Sequence, residues 1–332
     1  MLLLDRNENR LGLAPATRAQ MIGASRASWR YPEQETWRLQ QALANVHGQS
    51  PERVLLGAGS TSVLLAVLAD RLQSGRATLF HPLPVYAPVL AFPSPLKAYP
   101  VGPTADGRID LPRLRQRVEQ HQGDAVVYLS NPDCYSGEVL PRESLLHWIT
   151  QSGPRVFFII DEAYIEFMPD HGQRSLIRRQ SALPRNLLVL RSFSKAYGMA
   201  GLRVGYAVTR NARLAAQLRV PLATGMNLPG VMAACDALED AAWLEHSRFL
   251  LEVARSALLE GLSELGIATR HGPTNFVLHE VPCDLSVFRA RLHEQSVRLA
   301  FPQGELSSWC RVSVDCFASV QAYLTLLRSV CG

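Results

Sequence analysis

The stretch RSFSKAYGMAGLRVGY, residues 191–206, holds Ser192, Ser194 and Lys195 just past an apolar run, with Gly198 and Gly201 close by and Arg203 eight positions beyond the lysine. Hydroxyls, a fixed cation and closely approaching backbone are what a phosphate group needs. A lysine in a partly desolvated pocket is less willing to stay charged, so its amine becomes available as a nucleophile. Alone, the pattern equally suits a surface lysine on a glycine-rich loop. A second stretch, FFIIDEAYIEF at 157–167, ends an apolar run in Asp161 and places Tyr164 three residues later. Open α/β sheets bind ligands beyond the carboxyl ends of their strands, where Asp161 would lie. A buried aspartate is costly unless paired, and a protonated ring nitrogen would pair it; a plain strand-end cap is the alternative. The third stretch, LLGAGSTSVLLAVL at 55–68, runs through Gly59, Ser60 and Thr61 into an apolar helix. Backbone N–H groups at a helix start bind phosphate, although a lone turn of this kind is usually structural. Its spacing is not G-x-x-x-x-G-K-[ST], which argues against a nucleoside-triphosphate site.

The elements that must position these residues alternate along most of the chain. Strands are expected at Val54–Leu56, Thr78–Phe80, Lys97–Tyr99, Ala125–Ser130, Val156–Asp161, Leu187–Ser192 and Arg203–Val208. Helices are expected between them at Thr61–Leu72, Leu111–Gln120, Pro141–Gln151 and Ala212–Leu218. Such alternation, with strands as uniformly apolar as VFFIID, predicts a mostly parallel sheet covered on both faces. After about residue 230 the pattern changes to one long helix over Val231–Leu265, strands at Phe276–His279 and Trp309–Val314, a helix at Leu285–Gln295 and a terminal helix. This reads as a smaller α+β domain joined by the long helix. The 332 residues suit one large and one small domain.

Composition narrows the function classes. The net charge is +5 with no block of like charges, and the arginines are scattered along the sequence, which disfavours nucleic-acid binding. The apolar start of MLLLDRNENR is too short for a signal peptide, and no run reaches membrane-spanning length. Six cysteines without a C-x-x-C pair or histidines at zinc spacing predict reduced thiols, no metal and a cytoplasmic protein.

Taken in order and at their separation, these segments resemble the fold-type I pyridoxal-phosphate enzymes. The likeness is greatest to the class I/II branch that contains histidinol-phosphate aminotransferase and threonine-phosphate decarboxylase. It runs from NEN at 7–9 and YPE at 31–33, through DEAYIEF and SFSKAYGMAGLR, to CRVSV at 310–314. It implies an α/β large domain with a mostly parallel seven-stranded sheet at 31–235, a small α+β domain at 236–332 and an arm at 1–30. It also implies the cofactor pyridoxal 5'-phosphate, an amino-acid substrate and a homodimer with shared sites.

Residue by residue, Lys195 resembles the lysine that binds the cofactor covalently and then shuttles the proton. Asp161 resembles the partner of the ring nitrogen, and Tyr164 the donor to the ring's phenolic oxygen. Tyr86 matches the aromatic that stacks on the ring. Gly59, Ser60, Thr61, Ser192, Ser194 and Arg203 match the phosphate cradle, and Tyr31 the tyrosine that reaches the neighbouring subunit's phosphate. Arg311 matches the clamp for the substrate carboxylate, for which a planar guanidinium is suited. Asn9 and Asn227 fall near active-site positions.

Several departures stand out. In LSNPDCYSGE, residues 129–138, Cys134 falls where the family places an asparagine facing the phenolic oxygen, and Tyr135 where it places proline. Asn131, Asp133 or Tyr164 would then have to supply that contact. Ala300 falls where histidinol-phosphate aminotransferases carry an arginine for the substrate phosphate. Arg10 follows NEN in place of proline, and Thr61-Ser62 replace an acidic pair. The expected activity is transamination of an amino acid or related amine whose side chain is not phosphorylated, with Arg298 or Arg10 as other sources of charge. Decarboxylation, oxidation or elimination on the same scaffold are the alternatives.

Overall fold

The computed structural model describes residues 1–331 except 74, 92–96, 180–182 and 303. Its strands are β1 (Leu2–Leu4), β2 (Val54–Gly57), β3 (Thr78–Pro82), β4 (Ala98–Val101), β5 (Ala125–Ser130), β6 (Val156–Asp161), β7 (Leu187–Ser192), β8 (Gly205–Thr209), β9 (Thr269–His271), β10 (Phe276–Glu280), β11 (Val297–Leu299) and β12 (Trp309–Ser313). Seven of them form one sheet in the order β2-β8-β7-β6-β5-β3-β4. The neighbours from β7 to β4 run parallel, and β8 runs antiparallel to both β7 and β2.

Side chains alternate across a strand, so each central strand feeds two cores. Phe158 and Ile160 of β6 join Val127 and Leu129 of β5 on one face. Phe157 and Ile159 join Val126 and Tyr128 on the other. Asp161 continues the second set and therefore meets Tyr128. That parity is what the uniformly apolar strands encode.

A third core gathers Leu4, Leu251, Leu258, Val277, Phe288, Val312 and Leu327. It is built on an antiparallel sheet, β12-β10-β9, and on a two-stranded parallel pair, β1-β11. The chain start is thus tied at Leu2–Leu4 to Val297–Leu299.

Among the boundaries that differ from the sequence expectation, three stand out. The strand expected from Arg203 begins at Gly205, because Arg203 sits at φ 53° in a left-handed turn. The single helix expected over Val231–Leu265 is two, Leu228–Glu239 and Ala241–Glu264, since the Asp240 carboxylate accepts from Trp243 N at 2.9 Å and caps the second. The helix expected to stop at Leu218 runs to Ala223 and carries Pro221 inside it. Among the described residues no helix is long and apolar enough to cross a membrane.

Candidate active site

The turn expected to cradle a phosphate lies where β2 leads into the helix Ser60–Leu72. Gly59 caps that helix at φ 81° and no side chain caps it, so the first N–H groups stay open. Two glycines permit the crowding there. A Cβ on Gly59 would lie 2.4 Å from Arg203 Nη2, and one on Gly205 would lie 2.1 Å from Ser60 N. The Arg203 guanidinium therefore lies over the turn, held through Nη1 by Ala200 O at 2.9 Å. Among the described residues no carboxylate pairs with it. Thr61 Oγ1 lies 2.9 Å from the Tyr86 hydroxyl, which brings that ring to the cradle. At the end of β7 the Ser192 hydroxyl accepts from Ser194 N at 3.0 Å, and both serines are buried.

Across the crevice, Asp161 ends β6. Its Oδ2 accepts from the Tyr128 hydroxyl at 3.0 Å and its Oδ1 from Ala163 N at 3.1 Å. Burial raises its carboxyl to about 6, against the hydrogen bonds from Tyr128 and Ala163 that oppose the rise. Lys195 Nζ donates to Arg6 O at 2.7 Å and lies 5.6 Å from the Tyr164 ring centroid. The residue is partly exposed, yet it sits deep among protein atoms. Burial first, and repulsion from Arg311 second, lower its ammonium to about 8.

Tyr164 receives a hydrogen bond from Asn7 Nδ2 at 3.0 Å. Asn7 is fixed in turn by Ser313, through its own N–H at 2.7 Å and through its Oδ1 at 3.0 Å. The sequence reading chose Asn9 from the NEN motif and missed Asn7. The signal was the motif itself, but which asparagine faces inward depends on the left-handed turn at Asn7, φ 54°. Asn9 is spent elsewhere, on Ala196 O at 3.0 Å, Ser247 Oγ at 2.9 Å and Leu11 N at 3.2 Å. It straps the chain start to the lysine loop. Asn227 caps the helix Leu228–Glu239 through Gly230 N and donates to Leu202 O at 2.7 Å, so it braces the turn that precedes Arg203.

Arg311, on β12, is buried between two rings, 4.9 Å from the Tyr135 centroid and 5.3 Å from that of Phe276. It donates to two carbonyls, those of Cys134 and Asp5, and its Nε has no partner. No carboxylate pairs with it among the described residues. Cys134 is buried with Ala163, Tyr164 and Phe276, and burial pushes its thiol far up. Asn131 and Asp133 do not replace the family asparagine. Asn131 bonds Leu140 N and O, and Asp133 accepts from Tyr135 N, Ser136 N and the Ser136 hydroxyl. Ala300 pairs through its backbone with Arg311. Tyr31 stands apart from all these groups, with 85% of its surface exposed.

An open helix start, an unpaired Arg203 and a buried, proton-hungry Asp161 fit a molecule that carries a phosphate at one end and a basic ring nitrogen at the other. The comparisons with known proteins agree. The family model for aminotransferase class I and II matches residues 1–328. Histidinol-phosphate aminotransferase of Nitratidesulfovibrio vulgaris is 31% identical over 315 residues, covering 94% of this chain and 83% of its own. Histidinol-phosphate aminotransferase 2 of Methylococcus capsulatus is 31% identical over 338 residues, covering 98% and 89%. Among solved structures, histidinol-phosphate aminotransferase from Sinorhizobium meliloti in complex with pyridoxal-5'-phosphate matches with a TM-score of 0.87 and 26% identity, covering 99% of this chain and 91% of its own. The chain belongs to the class I and II aminotransferases, with the fold-type I architecture. It is a pyridoxal-phosphate-dependent aminotransferase.

Proposed function

We propose that this aminotransferase acts on an L-amino acid or related amine whose side chain carries no phosphate, and that Arg311 holds the substrate's α-carboxylate. The observation that carries this reading is Arg311 itself: a buried guanidinium with no carboxylate partner among the described residues and an unpartnered Nε. A buried cation is stable only when paired, and a carboxylate matches its planar donor fork. Bound at this site, the cofactor supplies an electron sink for the charge that develops at the substrate Cα. Lys195 would hold it covalently; once the incoming substrate amine has taken that place, the freed Lys195 amine would remove the Cα proton, and an ammonium lowered to about 8 leaves a usable neutral fraction near neutral pH. Asp161 holds a proton on the ring nitrogen. Tyr164, aimed by Asn7, donates to the phenolic oxygen, while Tyr86 covers the ring face. Gly59, Ser60, Thr61, Ser192, Ser194 and Arg203 hold the phosphate.

The rim supports the absence of a phosphate on the substrate. A phosphate monoester carries ≈ −1.5 to −2 charges and calls for arginines free to pair with it. Here Arg298 lies 3.2 Å and Arg6 4.0 Å from Asp5, and Arg10 lies 3.6 Å from Asp315. Each rim arginine already faces a carboxylate.

The proposal extends to assembly and location. Ile22, Trp29, Tyr31 and Trp37 are all more than half exposed, which supports a homodimer in which Tyr31 completes the partner's cradle. The cores on the large sheet end at Ala234 and the third resumes at Leu251, which supports a large domain at 31–235 and a small one at 236–332 after an arm at 1–30. The five cysteines described are free thiols, in keeping with a cytoplasmic protein.

The test is a half-reaction. The loaded enzyme is mixed with single amines, and loss of the yellow absorbance is followed together with release of a keto acid. Conversion by one or more unphosphorylated amino acids is expected. A strong preference for histidinol phosphate over histidinol would overturn the substrate reading, and carbon dioxide without a keto acid would overturn transamination.

A further inference from the structure

Five of the arginines scattered along the sequence meet in space. At the end of the large sheet opposite Lys195, where β2 begins, β7 begins and β8 ends, a cavity of about 650 Å³ is lined by Arg53, Arg185, Arg210, Arg213 and Arg219. Among the described residues Glu52 is the one carboxylate in its lining. Its carboxyl is held below the usual range first by its own backbone and Ser50, then by Arg219 and Arg53. Five guanidiniums less one carboxylate leave four charges here, against a net +5 for the whole chain. The remaining residues come close to balance, 29 cationic against 28 acidic.

The arginines also keep donors available. Arg53 uses one amino group on Gln49 Oε1 at 3.1 Å, and Arg210 uses one on Leu183 O at 3.3 Å. Among the described residues none of the five stands within ion-pair distance of a carboxylate. Like charges gathered around a single counter-charge repel one another, and a bound anion relieves that repulsion. Guanidinium forks match phosphate oxygens bidentately. Five of them around a space in the range of ordinary ligand cavities suit several linked phosphates better than a single one.

We propose that this cavity is a binding site for a small polyphosphate, a di- or triphosphate group, separate from the cofactor cradle. The probe is inorganic tripolyphosphate, titrated calorimetrically into the cofactor-loaded enzyme so that the cradle is already filled. The expected result is saturable binding with Kd below about 1 mM at low salt, weakened at higher ionic strength. The double variant Arg213→Ala/Arg219→Ala should weaken it at least tenfold while cofactor absorbance and melting temperature stay unchanged. A charge reversal, Arg213→Glu, should abolish it. No saturable binding at low salt, or binding that survives both variants, would overturn the site. Tighter binding of a short single-stranded RNA, lost in the same variants, would overturn the small-ligand assignment in favour of a polymer.

Discussion

Two buried arginines, one on the large sheet and one on the three-stranded sheet, are handled in opposite ways. Arg191, on β7 one residue before Ser192, is 3% exposed. Its Nε lies 3.0 Å from Glu162 Oε2, its Nη1 2.5 Å from Glu166 Oε1, and its Nη2 donates to Ser175 Oγ at 3.2 Å. Glu162 also accepts from Leu176 N and the Ser175 hydroxyl, each at 2.7 Å. Arg311 is 9% exposed and has two carbonyls, two rings and no carboxylate. The first guanidinium is a staple: Glu162 follows Asp161 and Glu166 follows Tyr164, so it ties the DEAYIEF segment to the strand that leads to Lys195. The second is left incomplete. Burial alone marks neither as functional, because both are buried; the missing counter-charge distinguishes the site from its support.

The largest expected effect comes from the site. Lys195→Ala should remove the proton carrier and lower turnover by on the order of 10²–10⁴-fold. It should also abolish the borohydride-sensitive yellow absorbance while leaving the protein folded. Retained absorbance of that kind would show that the cofactor is attached elsewhere.

The staple should respond the other way. Arg191→Met leaves Glu162 and Glu166 buried without their cation, which costs about 3–5 kcal/mol, read as a lower urea midpoint in the absence of cofactor. An unchanged midpoint would mean that the two carboxylates find protons or water at little cost, and the contrast with Arg311 would lose its meaning.

Next in size is the pH dependence of the cofactor-free protein. Asp161 titrates near 6 in the fold against 3.8 ordinarily. The folded state therefore holds more protons than the unfolded chain between those values, and stability falls as pH rises through that window. The difference in unfolding free energy between wild type and Asp161→Asn should decline by no more than about 3 kcal/mol from pH 3.8 to 6 and stay level above it. Cofactor should flatten the slope, since a cationic ring nitrogen supplies what the carboxylate lacks. Lys195, lowered to about 8 from 10.5, acts in the opposite sense at higher pH: its charge destabilises the fold below 8, and that cost is relieved as pH rises to 10.5.

Arg311→Lys keeps the charge but loses the fork. Charge-assisted hydrogen bonds contribute about 1.5–3 kcal/mol, so KM for the amino acid should rise roughly 10- to 100-fold, with kcat and the urea midpoint changed much less. A fall in kcat with KM preserved would move Arg311 from binding to chemistry.

Much of this contrast was legible in the sequence, and the illegible part has a physical cause. VFFIID and LLVLRS announce strands buried on both faces, and their carboxyl ends locate Asp161, Ser192 and Lys195. Asp161's company, Tyr128, follows from strand parity once the register of β5 on β6 is known, and a single sequence does not give register. Asn7 and Asn9 are indistinguishable as letters; a left-handed turn decides that one faces Tyr164 and the other Ala196. Arg191 reads as one more arginine in a strand, because its partners come from a different element. The cavity of five arginines is hidden for the same reason: Arg53 and Arg185 lie far in sequence from Arg210, Arg213 and Arg219, and only the sheet end brings them together.

The smallest effect tests the oddest residue at the site. Cys134 is walled in with Ala163, Tyr164 and Phe276, and its carbonyl, not its thiol, meets Arg311. Burial holds the thiol protonated, so at working pH it is a small apolar group and a poor donor. On the proposed assignment Tyr164, held by Asn7, would be left as the donor toward the cofactor's phenolic oxygen, since Asn131 and Asp133 are spent within their own turn. Cys134→Asn should add a second donor and favour the anionic oxygen, moving the pH midpoint of the cofactor absorbance down by less than about one unit, or roughly 1 kcal/mol. Tyr164→Phe should move it up, and by more. If Cys134→Asn leaves the midpoint in place while Tyr164→Phe shifts it, position 134 serves only to pack against Phe276 and to present its carbonyl. The thiol would then belong with the Arg191 staple, as part of the wall that holds Arg311 in place.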